Sequence, residues 1–69
     1  MINARELNEK ITRKGYTEAK IAEKLGMDKH TFHAKVNGIG KSFTIKEVDR
    51  LVKILRLEGS EAERIFFAS

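Results

Sequence analysis

The chain has 69 residues, 35% of them charged, with no cysteine and no proline; one domain over 1–69 is expected, held by apolar packing without a disulfide or thiolate metal site. Lys and Arg total 14 against 10 Asp and Glu, a net charge of +4, which admits nucleic acid as a partner but also describes many solvated helical surfaces. No apolar run nears the roughly 18 residues of a membrane span and no signal-peptide pattern opens the chain, so a cytoplasmic protein with no membrane partner is expected.

Glycines and cap residues divide the chain into five predicted helices. The first covers 4–14, opens on the capping-box pattern Asn3-x-x-Glu6, carries the stripe Leu7/Ile11 and stops at Gly15. The second covers 18–25, with Thr17 as cap, Ile21, Ala22 and Leu25 on its apolar face, and Gly26 as stop. The third covers 29–37, with Asp28 as cap, Phe32 and Val36 facing inward, and Gly38 as stop. The fourth covers 45–57, opens on Thr44-x-x-Glu47, carries Ile45, Val48, Leu51, Val52 and Leu55, and stops at Gly59. The fifth covers 61–67, opens on Ser60-x-x-Glu63 and carries Ala62, Ile65 and Phe66. Hydrophobic-staple pairs support the first four starts: Ile2 with Leu7, Tyr16 with Ile21, Met27 with Phe32, Phe43 with Val48. No segment alternates with period two, so the expected fold is all-α.

The second and third helices are short and joined only by Gly26-Met27-Asp28. A turn that tight, opened by glycine and preceded by the small Ala22, sets two helices at a steep angle, as in a helix-turn-helix. Residues 17–38, TEAKIAEKLGMDKHTFHAKVNG, resemble the helix-turn-helix of the lambda-repressor-like family, which includes Cro-type and XRE-type regulators. The matching residues are Thr17, Ile21, Ala22, Leu25, Gly26, Met27, Thr31, Phe32, Asn37 and Gly38. The five-helix layout agrees, and the basic loop with the terminal Ile-Phe-Phe resembles the small phage Cro-like repressors.

The resemblance implies a sequence-specific transcriptional regulator that binds double-stranded DNA. Its third helix would enter the major groove, and a homodimer, formed in solution or only on DNA, would occupy a near-palindromic operator. Base-edge contacts would fall on Lys29, His30, His33, Ala34 and Asn37. Backbone contacts would fall on Thr17, Lys20, Thr31 and Lys35, on Gly40, Lys41 and Ser42 of the loop, and on Thr44 and Lys46. Two positions depart from the family pattern. Glu18 stands where many members have a phosphate-binding Gln, and Lys35 stands where an apolar residue is usual. Glu18 is expected either to orient Lys29 or to favour the helix N-terminus. Lys35 is expected to pack its stem with its head in water, unless Val36 carries the packing.

The third helix can be read independently of the resemblance. With Phe32 at 0° and about 100° per residue, Val36 falls near 40°, His33 near 100°, Asn37 near 140°, His30 near 160° and Ala34 near 200°. The outward face is polar around a small alanine, which permits close approach to a base edge or a thymine methyl; the same pattern also fits a solvated helix face. A metal site on His30 and His33 is the competing reading. It lacks a third ligand, since Asp28 lies on the other side as a cap, and no metal or cofactor is expected.

Phe66 and Phe67 are adjacent and cannot both face one core, which suggests a homodimer contact through the fifth helix by Leu57, Ile65, Phe66 or Phe67. No nucleophile-base set or phosphate-cradling glycine loop is present, so an enzyme is not expected. The alternative function is a protein-binding module that pairs with an opposing repressor, favoured by Glu18 in place of a phosphate-seeking residue.

Overall fold

A computed structural model describes residues 2–67, and every regular element within them is helical. The helices are α1 (Ala4–Arg13), α2 (Glu18–Leu25), α3 (Lys29–Val36), α4 (Ile45–Leu55) and α5 (Gly59–Phe66). Four starts follow from local chemistry. The side chains of Asn3, Thr17, Asp28 and Thr44 accept the backbone N–H groups of Glu6, Lys20, Thr31 and Glu47 at 2.9–3.1 Å, satisfying donors that a first turn leaves free. Thr44 also closes the reciprocal box, its own N–H donating to Glu47 at 3.0 Å. Asn3 does not: its N–H donates to the Ile65 carbonyl at 2.7 Å and ties the start of α1 to α5.

The first four helices end in one hydrogen-bonding pattern. The N–H groups of Tyr16, Met27, Ile39 and Leu57 reach back to the carbonyls of Ile11, Ala22, Ala34 and Val52 at 2.8–3.0 Å. The residue before each donor is left-handed: Gly15, Gly26, Gly38 and Arg56. This is the Schellman arrangement, in which an apolar residue after the stop packs on the last turn.

The fourth case corrects the expected boundaries. Helix α4 stops at Leu55 rather than 57, with Arg56 at φ 52°. Leu57 is 8% exposed, and burying it draws the chain inward before Gly59 is reached. Gly59 is therefore the first residue of α5, not a stop, and Glu58 rather than Ser60 precedes the helix, its N–H donating to Glu61 at 2.9 Å. Helices α1, α3 and α5 each end one residue earlier than expected.

Helix α2 is central, packing on α1, α3 and α4, while α1 also packs on α5. Its Ile21 and Ala22 are buried, and every helix contributes to one core that includes Leu7, Phe32, Leu51, Leu55 and Ile65. The staple residues Ile2, Tyr16, Met27 and Phe43 are half-buried against that core. Phe43 meets the Phe32 ring at 5.6 Å between centroids. Ile45, expected in the core, is 89% exposed. With Leu51 at 0° and Leu55 near 40°, Ile45 falls near 120°, beyond the edge of the buried stripe. Among the described residues no helix is long and apolar enough to cross a membrane.

Candidate nucleic-acid interface

Helix α3 is anchored by two side chains. Phe32 and Val36 are buried, and Asp28 caps the first turn. The Thr31 N–H holds the Asp28 carboxyl below its ordinary value, so the cap stays charged at neutral pH. With those two residues turned inward, Lys29, His30, Thr31 and His33 are exposed and Ala34 is half-buried. Lys29, His30, His33 and Ala34 line one depression, together with Glu18 of α2 and Ile39 of the following loop. The structure thus brings together four of the five residues expected at base edges.

Asn37 is the fifth, and it serves the helix end instead. Its Nδ2 donates to the His33 carbonyl at 2.8 Å, so the side chain folds back over the end of α3. It lines a separate groove between α3, the α3–α4 loop and the end of α5.

Glu18 stands in the first turn of α2, as one expectation had it, and forms no ion pair or hydrogen bond with Lys29 among the described residues. Its Oε1 lies 3.5 Å from Nδ1 of His33. This pairing crosses from α2 to α3 and has no counterpart in sequence spacing, so only the packing of the two helices reveals it. Ile39 was equally hidden. It is the apolar residue after the Gly38 stop, its N–H donates to the Ala34 carbonyl at 2.8 Å, and it is 66% exposed.

The residues expected at the DNA backbone fall into three groups. Thr17, Gly40, Lys41, Ser42, Thr44 and Lys46 are exposed around the ends of α2, α3 and α4, with Thr31 on α3 itself. Among the described residues, Lys29, Lys41 and Lys46 form no ion pair. Lys20 pairs with Glu23 at 2.9 Å, but both side chains are more than half exposed, and a solvated pair of this kind exchanges readily for phosphate.

Lys35 is the exception and corrects its expected role. Its Nζ lies 2.9 Å from a Glu47 oxygen with only 14% of the side chain exposed, and it stands 5.9 Å from the Phe43 ring centre. Its head is held by Glu47 rather than left free for phosphate, and Val36 is buried beside it. Partial burial works to raise the Glu47 carboxyl, but hydrogen bonds from Lys35 and Thr44 outweigh it and hold it below its ordinary value. The pair fastens the first turn of α4, which carries Lys46, to the last turn of α3.

Two ion pairs join α1 to α5. Arg64 grips Glu6 through two nitrogens, and Lys10 bonds Glu61. Those hydrogen bonds hold both carboxyls below their ordinary value. Nearby, the expected dimer residues Leu57, Ile65 and Phe66 belong to this chain's own core at 8%, 0% and 6% exposure, so they are not available to a partner as placed. Phe67 remains, 69% exposed. Among the described residues no group of three or more His, Cys, Asp or Glu side chains stands close enough to hold a metal ion. No protein-family model, curated protein or solved structure matches the chain.

Proposed function

We propose that the chain is a sequence-specific DNA-binding transcriptional regulator of the lambda-repressor-like kind, with α2 and α3 as its helix-turn-helix. In this reading it is a Cro-like repressor of phage or prophage origin, acting in the bacterial cytoplasm. Helix α3 enters the major groove with Lys29, His30, His33 and Ala34 toward base edges. Lys41, Ser42, Thr44 and Lys46, with Thr17 and Lys20, approach the phosphates. A dimer with Phe67 at its contact places two α3 helices on successive turns of an operator. The observation that carries the reading is that Lys29, His30, His33 and Ala34 line one depression on α3, with Lys29, Lys41 and Lys46 exposed and in no ion pair among the described residues.

Fluorescence anisotropy with duplex pools tests it. Binding at low salt should weaken by roughly 10³–10⁵ between 50 and 200 mM salt if a dimer meets about six to ten phosphates. A flat salt response would exclude this reading. Glu18 and Ile39 inside the same depression favour a second reading, a protein-binding module that masks an opposing repressor. No duplex binding at low salt would turn the balance to it.

A further inference from the structure

We infer that Glu18 is a positioning residue that sets which base edge His33 reads, by holding the imidazole proton on Nδ1 and leaving Nε2 to face the groove. The inference rests on the DNA-binding reading and concerns the specificity of the same face.

The geometry starts from the 3.5 Å between Glu18 Oε1 and His33 Nδ1. A bare nitrogen lone pair turned toward a carboxylate is repelled, whereas an N–H is attracted. A neutral His33 is therefore biased toward the tautomer with its proton on Nδ1, across a separation longer than an ordinary hydrogen bond. Glu18 is well placed to be that partner. It sits in the first turn of α2, its side chain is 24% exposed against 61% for His33, and His33 is the one basic side chain with a nitrogen within 4.0 Å of its carboxylate among the described residues. The charged and titratable groups around the ring are Glu18 from α2 and Lys29 and His30 from α3; Ile39 from the loop brings no charge.

The chemistry at Nε2 then depends on protonation. In the neutral ring Nε2 is an acceptor, and it matches the exocyclic amino group of adenine or cytosine. In the charged ring Nε2 is a donor, and it matches guanine O6 and N7 or thymine O4. The charged ring also neutralises Glu18 beside the phosphates. One base position in each half-site should therefore change its preferred partner between the neutral and the charged ring.

Two measurements test this. The first uses no DNA: nitrogen-15 NMR of the imidazoles at pH 8 in the full chain. The expected result is a His33 proton on Nδ1 in the wild type and a shift toward Nε2 in Glu18→Ala, with His30 unchanged. A proton on Nε2 in the wild type, or no change in the variant, overturns the inference. The second selects duplexes from a random pool at pH 5.5 and pH 8. One position should change its preferred base by about five- to tenfold, the worth of one hydrogen bond, and the change should vanish in Glu18→Ala and in His33→Gln. Identical preferences at both pH values in the wild type overturn it. If low-salt binding of random duplexes is absent, the DNA reading falls and this inference with it. If binding is present and the proton lies on Nε2, this inference falls alone.

Discussion

The α1–α5 contact and the exposed α3 face of this molecule treat charge differently. On the first, Arg64 is satisfied by Glu6 and Lys10 by Glu61, across helices more than fifty residues apart in the chain. On the second, Lys29, Lys41 and Lys46 carry no ion pair among the described residues, and the one inter-helix pair on the exposed face is Glu18 with His33. A cation in a part-buried pair must give up its partner before it meets a phosphate, whereas an unpaired one can release counterions onto a polyanion. The difference teaches that net charge is a poor guide to a binding face: the excess matters where packing leaves it unpaired.

The comparison can be broken outright by removing the anchor that α3 depends on. Phe32→Ala should cost about 3–5 kcal/mol, a large share of the total stability of a domain this small. Circular dichroism should show loss of the cooperative melt, and the α3 face should disappear with it.

Acid should act next, through held carboxyls on both sides. Glu6, Glu47 and Glu61 have carboxyls held below their ordinary value of 4.5 in the folded chain. The unfolded chain therefore binds protons more readily than the folded one, and falling pH favours unfolding. Their contribution is complete above the unfolded value and is lost as pH falls below 4.5 through the folded values. Melting temperature should be flat with respect to these groups from pH 6 to 8 and fall below that point. A melt unchanged down to pH 3 would show that the ion pairs add nothing to stability.

The smallest effects sharpen the comparison most. Lys35→Ala leaves Glu47 without its partner and should lower stability by about 1 kcal/mol, read as a lower melting temperature. Lys41→Ala removes no contact within the chain and should leave the melt unchanged. On DNA it should weaken all sequences alike and reduce the salt slope by about 1. A destabilised Lys41→Ala or a fully stable Lys35→Ala would erase the distinction drawn between held and free cations.

The fold was largely legible because helix starts are local events. Asn3, Thr17, Asp28 and Thr44 each meet a donor three residues on, so the cap and its partner lie within one turn of sequence. The start of α5 was not legible, since two acidic or hydroxyl caps compete within three residues and burial of Leu57 chooses between them. The α3 face was legible for the same reason as the starts: Phe32 and Val36 alone orient a helix this short, and its other residues follow by rotation. The roles of Lys35, Asn37 and Glu18 were not, because each depends on what a neighbouring segment places beside it.

From the sequence alone came the all-α class, the five helices, the inward residues of α3 and an outward set of His30, His33, Ala34 and Asn37 flanked by Lys29, of which only Asn37 left the shared depression, since periodicity and capping act over one or two turns. Tertiary structure decided which cations are free and which are held. It also turned Leu57, Ile65 and Phe66 inward and set Glu18 against His33. Those outcomes rest on distances between segments far apart in the chain, and such distances exist only once the core has closed.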